Sequence, residues 1–275
     1  MSAEPARAVT RTTQPTATAT TALGIDIGGT GIKGAVVDLS AGRLATERHR
    51  VPTPQPSTPH NVAKVIDEIA NVHGWKGPIG AAFPAVVKHG VALSAANVDK
   101  SWIGTDVDAL FTEVTGCSVI VMNDADAAGV AEVTFGAARG VQGVVLVFTL
   151  GTGIGSAMFI DGRLVPNTEI GHLELDGHDA EVKGAASARE RDDLTWEQWA
   201  ARVQHYLEHI ERLFTPDLIV LSGGVSKRPE KWLPYLKIRT PLEIARLRNN
   251  AGIVGAAIMG ASAESGPDTP VSGRH

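Results

Sequence analysis

The chain has 275 residues, 43% of them hydrophobic, which is enough for one large domain or two lobes with buried cores. Its one cysteine, Cys117, excludes an internal disulfide and favours a reducing compartment, so we expect a cytoplasmic protein. No apolar run reaches membrane-spanning length, and a formal net charge of -5 gives no general signal for nucleic-acid or membrane binding. We predict disordered tails at residues 1–21, which lack the apolar core of a secretory signal, and at residues 263–275.

Hydrophobic periodicity predicts an α/β fold between residues 22 and 262. Short runs rich in Val, Ile, Leu and Ala predict strands at 22–28, 33–38, 78–83, 118–122, 143–149, 155–160 and 217–222. Longer runs predict helices at 59–73, 105–115, 125–134, 195–213 and 241–262. The aromatic residues of the fourth predicted helix are most simply a buried helix face rather than a ligand platform.

Two segments share one plan: "LGIDIGGTGIKGAVVDLSAGRL" (23–44) and "VFTLGTGIGSAMFIDGRLV" (147–165). Each reads as a strand, a turn of Gly and Thr, a second strand and a further turn that ends in Gly-Arg-Leu. We therefore predict a duplicated design, with one such hairpin opening each of two lobes.

The two glycine turns can form anion cradles, because glycine leaves backbone N–H groups uncovered. A tight hairpin without a ligand explains the same residues equally well, and neither turn matches the Walker pattern, since a strand follows. Asp26 favours the phosphate interpretation. A carboxylate inside an apolar strand is costly unless it is paired or lies near a cation such as Mg²⁺.

"CSVIVMNDADAAGVAE" (117–132) joins a predicted strand to a predicted helix at Asn123 and Asp124. Both residue types are favoured helix N-caps, and capping alone would account for them. The functional interpretation is that Asp124 faces a cleft at the carboxyl ends of strands and accepts a proton from a substrate hydroxyl.

"PNTEIGHLELDGH" (166–178) holds Glu169 and His172 three residues apart. Such a pair could belong to a metal site, but no further ligands follow at a known spacing. Hydrogen bonds from both side chains to sugar hydroxyls fit the residue types equally well.

The ordered set "GIDIGGTGIK", "MNDADAAGVAE", "FTLGTGIG", "EIGH" and "LSGGVS" resembles the ROK family of sugar kinases, and within it the bacterial polyphosphate glucokinases of the glucomannokinase type. The resemblance spans nearly all of residues 22–262. It implies a two-lobed actin/hexokinase-like (ribonuclease H-like) α/β fold with a central cleft. It also implies an enzyme that moves the terminal phosphate of inorganic polyphosphate or ATP to the 6-hydroxyl of glucose, and of mannose.

The resemblance also implies residue roles. Asp124 would be the catalytic base, and the sugar ligands would be Asn97, Asn123, Asp124, Glu169 and His172. Phosphate and nucleotide groups would bind at Gly28, Gly29, Thr30, Lys33, Thr152, Gly153, Gly223 and Gly224, and Asp26 would orient Mg²⁺ through water. Phe83 and Pro84 resemble the loop that closes over the sugar, although Ala85 replaces a glycine common there.

One segment departs from the family pattern. The zinc motif Cys-x-Cys-Gly-x-x-Gly-Cys-Leu-Glu corresponds here to "LDGHDAEVKGAASARERDD" (175–193), which has no cysteine, so we expect no structural zinc. The second sugar-binding glutamate of the family has no certain equivalent, and Glu181 and Glu190 are both nearby.

The donor prediction rests on charge. Residues 225–248 carry seven basic and two acidic residues, a local net charge of +5, beginning with Lys227 and Arg228. The segment 181–191 adds Lys183, Arg189 and Arg191. An ordinary solvated face explains such charges equally well, but they follow the nucleotide-side loop of the resembled family. We therefore predict that polyphosphate and ATP use one overlapping site.

Three other classes stay open at this stage. The first is an ATP-dependent ROK hexokinase for another hexose, and the second is a non-catalytic ROK-type regulator, which would need a helix-turn-helix before the first hairpin. The third is a filament-forming or scaffold relative of actin, which would keep the nucleotide turns but has no reason to carry Asn123 and Asp124 together with Glu169 and His172. The sequence allows a homodimer. We predict an N-terminal lobe at 22–125, a C-terminal lobe at 126–248 and a helix at 249–262 that packs back on the first lobe.

Overall fold

The computed structural model of this protein describes residues 20–95 and 98–263. In this part of the chain the strands are β1 (Thr21–Ile27), β2 (Ile32–Asp38), β3 (Arg43–Leu44), β4 (His49–Val51), β5 (Ile79–Phe83), β6 (Val87–Lys88), β7 (Val91–Ala92), β8 (Val119–Asn123), β9 (Val144–Leu150), β10 (Ile154–Ile160), β11 (Arg163–Val165), β12 (Glu174–Leu175), β13 (His178–Asp179), β14 (Leu218–Gly223) and β15 (Leu242–Ile244). The α-helices are α1 (Pro59–Val72), α2 (Val107–Thr115), α3 (Asp124–Phe135), α4 (Glu181–Gly184), α5 (Ala186–Arg191), α6 (Trp196–Phe214) and α7 (Ala251–Ala263).

Asn97 and most of the two predicted tails, residues 1–19 and 264–275, lie outside the described residues. Among the helices that are described, none has the length and apolar character needed to cross a membrane.

All seven predicted strands and the first four predicted helices are confirmed, with ends that agree within two residues. The prediction of one helix over 241–262 is wrong in its first half. Residues Leu242–Ile244 form β15, which pairs in parallel with β14, and α7 begins only at Ala251. Pairing with β14 covers an edge that would otherwise be exposed, and this tertiary contact overrides the local helical pattern.

The two main sheets repeat one strand order. The first runs β3-β2-β1-β5-β8, with β4 also beside β2, and the second runs β11-β10-β9-β14-β15. In each sheet an antiparallel hairpin is followed by two parallel strands. A duplicated design predicts this repetition.

Helices cover both sheets and also lie between them. α1 and α2 pack on one face of the first sheet, and α6 packs on the second sheet. Between the sheets, α3 and α7 pack against each other, α3 contacts β10, and α7 contacts β1 and β5. The lobe limits drawn from the sequence stay a prediction.

Helix α7 lies so close to β1 and β5 that side chains are excluded at the contacts. A Cβ atom on Gly24 would overlap the carbonyl group of Ile253, and one on Gly80 would overlap that of Ala256. Gly255 of α7 makes a similar contact with α3, where a Cβ atom would overlap the carbonyl group of Ala127. These close approaches set how the carboxyl ends of the two sheets face each other.

Candidate active site

The carboxyl ends of the central strands of both sheets open into one cleft of about 630 Å³. In open α/β sheets this is the end at which ligands bind. The predicted site residues that line the cleft are Gly28, Gly29, Thr30, Asn123, Asp124, Thr152, Gly153, Glu169, His172 and Gly223.

The first glycine turn offers free N–H donors to the cleft. Among the described residues, the N–H groups of Gly29 and Thr30 have no protein acceptor. The carbonyl groups of the turn are held from outside: Thr53 Oγ1 donates to the Gly28 oxygen at 2.5 Å, and Arg50 donates to the Thr30 oxygen at 3.2 Å. Because these carbonyl oxygens already accept hydrogen bonds and the N–H groups are free, the turn is suited to binding an anion.

The second turn is built in the same way from different residues. The N–H groups of Thr152 and Gly153 have no protein acceptor in the described chain. Ser187 at the start of α5 donates its hydroxyl to the Thr152 oxygen at 2.6 Å and its N–H to the Gly151 oxygen at 3.0 Å. Two N–H-rich turns, one from each sheet, therefore line the same cleft.

Asp26 forms an ion pair inside the first sheet. Its Oδ2 lies 2.8 Å from Lys33 Nζ, and both side chains are largely shielded from solvent. The strand register aligns Asp26, Lys33 and Arg50 directly across three strands, on one face of the sheet. Lys33 is thus neutralised by Asp26, whereas Arg50 has no carboxylate partner among the described residues.

Arg50 is a residue that the sequence analysis missed. Its guanidinium group occupies the space beside Gly31, where a Cβ atom would come within 2.7 Å of it. The only sequence signal was a basic residue in a short strand. Nothing local to that strand indicates that it pairs beside the first turn.

Asn123 and Asp124 divide two tasks between them. The Asn123 side chain caps α3, its Oδ1 accepting the N–H groups of Ala125 at 2.8 Å and Asp126 at 3.1 Å, so the capping interpretation is confirmed for Asn123. Its amide nitrogen donates to the Ala85 oxygen at 3.3 Å. Asp124 instead opens to the cleft. Its Oδ1 accepts the N–H of Ala125 at 2.8 Å, which leaves Oδ2 without a partner in the described part of the chain.

The environment of Asp124 changes its acidity. Enclosure by protein at the floor of the cleft raises the pKa of Asp124 to about 6, and the negative charges of Asp26 and Glu169 add to this rise. A carboxyl group with this pKa is ionised at neutral pH and holds a proton more readily than an ordinary aspartate. Such a group is suited to general base chemistry.

Glu169 and His172 lie at either end of a 3-10 turn, Ile170–His172, which the second sheet holds in position. Ser156 of β10 donates to the Thr168 oxygen and accepts the Ile170 N–H at 2.9 Å. No metal cluster is needed to account for this geometry.

His172 is surrounded by carboxylates. Its Nδ1 lies 3.1 Å from Asp179 and 3.8 Å from Glu181, and its Nε2 lies 3.9 Å from Glu169. The hydrogen bond with Asp179 is the main cause of a raised pKa at His172, and the charges of Glu181 and Glu169 contribute further. The imidazole is therefore held toward its protonated form, as a hydrogen-bond donor.

Of the two glutamates left open by the sequence, Glu181 lines the cleft and Glu190 does not. Glu181 Oε2 accepts the Ile154 N–H at 3.0 Å, which ties α4 to the second glycine turn. Glu190 is exposed, and its carboxylate lies 3.7 Å from Arg189. The choice between them depends on a short helix that local periodicity did not reveal.

The remaining predicted residues fall into three groups. Pro84, Ala85 and Ser94 line the cleft with Glu169, and Ser94 lies two positions before the two undescribed residues that include Asn97. Gly223 has a φ of 89°, a conformation that L side chains rarely adopt, and Gly224 follows it at the surface. Lys33 lies in the sheet, paired with Asp26.

The predicted basic residues have unequal environments. Lys183, Lys227 and Arg228 are exposed and have no ion-pair partner among the described residues. Arg191 is paired with Asp192 at 2.8 Å, which raises the pKa of the guanidinium. Trp196 contacts both basic segments, with Arg189 at 4.3 Å and Lys231 at 5.9 Å from the ring centre.

Asp26, near the end of β1, and Asp124, in the cleft, fit a hydrated magnesium ion. The carboxylates of Asp26 and Asp124 raise each other's electrostatic energy, and a divalent cation would relieve this repulsion. Within the described residues no group of three or more His, Cys, Asp or Glu side chains could hold a metal. Mg²⁺ typically uses only one or two carboxylates together with substrate phosphates and water. Whether the protein lacks structural zinc stays a prediction.

Comparisons with known proteins identify the family of this chain. The ROK family model matches residues 22–189. "Polyphosphate glucokinase" of Mycobacterium tuberculosis is 51% identical over 236 residues, which are 86% of this chain and 89% of that protein. A relative of the same name from Mycobacterium leprae is 47% identical over 254 residues, 90% of this chain and 78% of that protein.

Solved structures agree as well. The crystal structure of inorganic polyphosphate/ATP-glucomannokinase from Arthrobacter sp. strain KM is 55% identical, with a TM-score of 0.85 over 89% of this chain and all of that one. A ROK family glucokinase from Streptomyces griseus, solved with glucose and AMPPNP, is 23% identical, with a TM-score of 0.75 over 88% of this chain and 99% of that one, and supports the fold alone. The chain therefore belongs to the ROK family and has its two-lobed actin/hexokinase-like fold.

Proposed function

We propose that this protein is a cytoplasmic glucokinase that moves the terminal phosphate of inorganic polyphosphate or ATP to the 6-hydroxyl of glucose and of mannose. The observation that supports it best is the position of Asp124, between two N–H-rich turns and beside the Glu169–His172 turn. The polyphosphate glucokinase of Mycobacterium tuberculosis and the polyphosphate/ATP-glucomannokinase of Arthrobacter, both similar to this chain, support the same reaction and the same donors.

On the acceptor side, the sugar hydroxyl would lie against the unpartnered Oδ2 of Asp124. As the oxygen attacks the terminal phosphate in line, its proton passes to that carboxylate. Asn123, Glu169, His172 and Asn97 would bind the other hydroxyls, and Glu181 would serve as the second sugar-binding glutamate. An imidazole beside carboxylates suits this task, because sugar hydroxyls both donate and accept hydrogen bonds.

On the donor side, the two turns would hold the terminal phosphates through N–H groups of Gly28 to Thr30 and of Thr152 and Gly153. Asp26, paired with Lys33, would hold a hydrated Mg²⁺ at this point. When bound, that ion neutralises charge on the phosphates. Gly223 and Gly224 would flank the nucleotide when ATP is the donor.

Closure of the two lobes, at 22–125 and 126–248 with the helix 249–262 returning to the first, would exclude water from the cleft. Water would otherwise compete with the sugar as the phosphate acceptor. Helix α7 packs closely on β1 and β5 of the first sheet and on α3, so such a motion would pivot where α7 meets α3.

A long polyanion that leaves the two turns would run along exposed cations of the second lobe. Lys227 and Arg228 come directly after Gly223 and Gly224 and have no ion-pair partner among the described residues. Lys183, Arg189 and Arg191 would continue this path, although Arg191 already interacts with Asp192. Polyphosphate neutralises more charges than ATP, so its KM should rise more steeply with salt.

A donor panel tests the proposal. Purified protein is assayed with polyphosphate and with ATP against glucose, mannose and other hexoses, and competition between the donors is measured. We expect both donors to be used and to compete. Lys227→Glu with Arg228→Glu should weaken polyphosphate use more than ATP use, and Lys88→Glu, an exposed lysine of the β6–β7 hairpin, serves as the control.

Activity with ATP alone, or with another hexose, would instead indicate a strictly ATP-dependent ROK hexokinase. Failure to phosphorylate any hexose with either donor would favour a non-catalytic regulator.

A further inference from the structure

Asp126 is a buried acid that the proposed reaction does not use. Its side chain is 1% exposed, two residues beyond Asp124 in the first turn of α3. Its Oδ2 accepts the backbone N–H of Asn167 at 2.8 Å, while its buried Oδ1 has no partner among the described residues. A buried carboxyl group with only part of its bonding satisfied is costly, so its presence calls for a reason.

Asn167 carries the connection on to the β6–β7 hairpin. Its side-chain carbonyl accepts the N–H of Val87 at 3.1 Å, and its amide donates to the Val87 oxygen at 2.9 Å. The two residues are 80 positions apart in sequence. Asn167 has a φ of 58°, in the left-handed region that asparagine tolerates better than most residues, which directs its side chain and its backbone N–H to different elements.

Both ends of this bridge lie next to walls of the acceptor pocket. Val87 follows Ala85, which lines the cleft and is itself bonded to the cap residue Asn123. Asn167 comes two residues before Glu169, which also lines the cleft. The bridge from Asp126 through Asn167 to Val87 thus connects the helix that bears the candidate base with both walls that would contact the sugar.

We propose that Asp126 and Asn167 are positioning residues that set the separation of the Ala85 and Glu169 walls and thereby determine the affinity for the sugar. This inference rests on the proposed function, because it concerns the acceptor half of the same cleft. Neither residue touches the donor turns, so the affinity for the phosphate donor should not depend on them.

A purely structural role predicts something different. A bridge that only held the fold together would change stability and affect donor and acceptor alike. Directional bonds to both backbone polar groups of one residue, Val87, fix a distance and an orientation, which apolar packing would leave adjustable. The bridge therefore suits a pocket whose width must match a ligand.

The state of the Asp126 carboxyl group suggests a conservative variant. Burial raises the pKa of Asp126 to about 7, despite the bond from Asn167, and the nearby charges of Glu169 and Asp124 add to the rise. The acid is thus largely protonated below neutral pH, and Oδ1 is the free oxygen for that proton. Asp126→Asn keeps the acceptor for the Asn167 N–H and an uncharged group of the same shape.

The test compares Asp126→Asn, Asp126→Ala and Asn167→Ala in the full-length protein. Glucose binding is measured by titration calorimetry, and KM values for glucose, ATP and polyphosphate are measured at saturating partner substrate. We expect Asp126→Ala and Asn167→Ala to weaken glucose binding about tenfold, the usual cost of one lost buried hydrogen bond. The donor KM values should stay within about twofold, and Asp126→Asn should stay close to wild type.

Glu211→Ala is the matched control. Glu211 is 5% exposed and accepts the N–H of Thr240 at 2.6 Å, so it is also a buried carboxylate that ties a helix to a loop, but far along the chain from the acceptor pocket. It should lower the melting temperature without changing the glucose KM.

Two results would overturn the inference. The first is unchanged glucose affinity in Asn167→Ala, in a wild-type background that phosphorylates glucose. The second is an equal loss for donor and acceptor, matched by the control. A wild-type protein that phosphorylates no hexose overturns the proposed function and this inference with it, so the two failures are distinguishable.

Discussion

The two glycine hairpins share one frame, yet their charges differ at equivalent positions. In the first hairpin the pair that flanks the turn is Asp26 opposite Lys33, and in the second it is Thr149 opposite Gly155. A Cβ atom on Gly155 would overlap Thr149 and come within 3.0 Å of Ala125, the residue after Asp124. The second hairpin therefore has a glycine, without a side chain, where α3, the helix that bears Asp124, packs against it.

This difference assigns separate tasks to two copies of one design. Both copies supply N–H groups for phosphate, held by different outside contacts: Thr53 and Arg50 at the first turn and Ser187 at the second. Only the first copy carries a buried acid suited to a metal, and only the second leaves room for the candidate base. Variants can therefore test each task separately.

The largest effect is expected at the candidate base, which lies between the two turns. Asp124→Asn keeps the size of the side chain but cannot take a proton, so turnover should fall by at least about a hundredfold while glucose still binds. Steady-state kinetics and calorimetry measure the two effects. Turnover near that of wild type would show that Asp124 is not the base and serves only at the N-terminus of α3.

The same carboxyl group predicts the pH dependence. The base must be ionised to act, and its pKa is raised to about 6, so wild-type kcat/KM should fall as the pH drops through about 6. Above that pH the activity should be level until another group titrates. A profile flat down to pH 5 would contradict the role of Asp124.

Gly155→Ala tests whether close packing of α3 on the second hairpin positions Asp124. The added methyl group must displace Thr149 or Ala125, and a shift of the base by even part of an ångström should lower kcat between about tenfold and a hundredfold. Near-wild-type melting temperature together with reduced kcat would indicate misplacement rather than unfolding. Unchanged kcat would mean that the packing of α3 on β10 does not position Asp124.

Asp26→Asn tests the acid of the first hairpin. It should lower kcat/KM about tenfold at limiting Mg²⁺, because one charged ligand to the hydrated ion is lost. Since the Asp26 charge raises the pKa of Asp124, the acid limb of the pH profile should also shift to lower pH. Thr149→Asn is the control, because it places asparagine at the equivalent position of the second hairpin. It should leave the acid limb of the pH profile unshifted.

Thr149→Val gives the smallest expected effect. The hydroxyl of Thr149 lines the cleft but bonds no described residue, and valine has nearly the same shape. We expect a change in the donor KM of about threefold or less, the range for one solvent-accessible hydrogen bond. A much larger change would give the second turn a specific side-chain donor, as well as its backbone N–H groups.

The sequence alone predicted the parts of the protein that depend on short stretches of chain. Strands, most helices and both glycine turns follow from local hydrophobic period and from the conformational freedom of glycine, so their positions agree within two residues. The failed helix over 241–262 marks the limit. Its first half became β15 because β14 needed a partner, and no local pattern contains that information.

Only the tertiary structure decided which side chains meet. The choice of Glu181 over Glu190, the contact of Arg50 with the first turn and the bridge from Asp126 to Val87 all join residues far apart in sequence. Each depends on how separate elements pack: β4 beside the first turn, α4 beside the second, and α3 beside the segment that holds Asn167. A sequence records which residues are available and their local periodicity, whereas distances and shared burial arise only when the separate elements pack together.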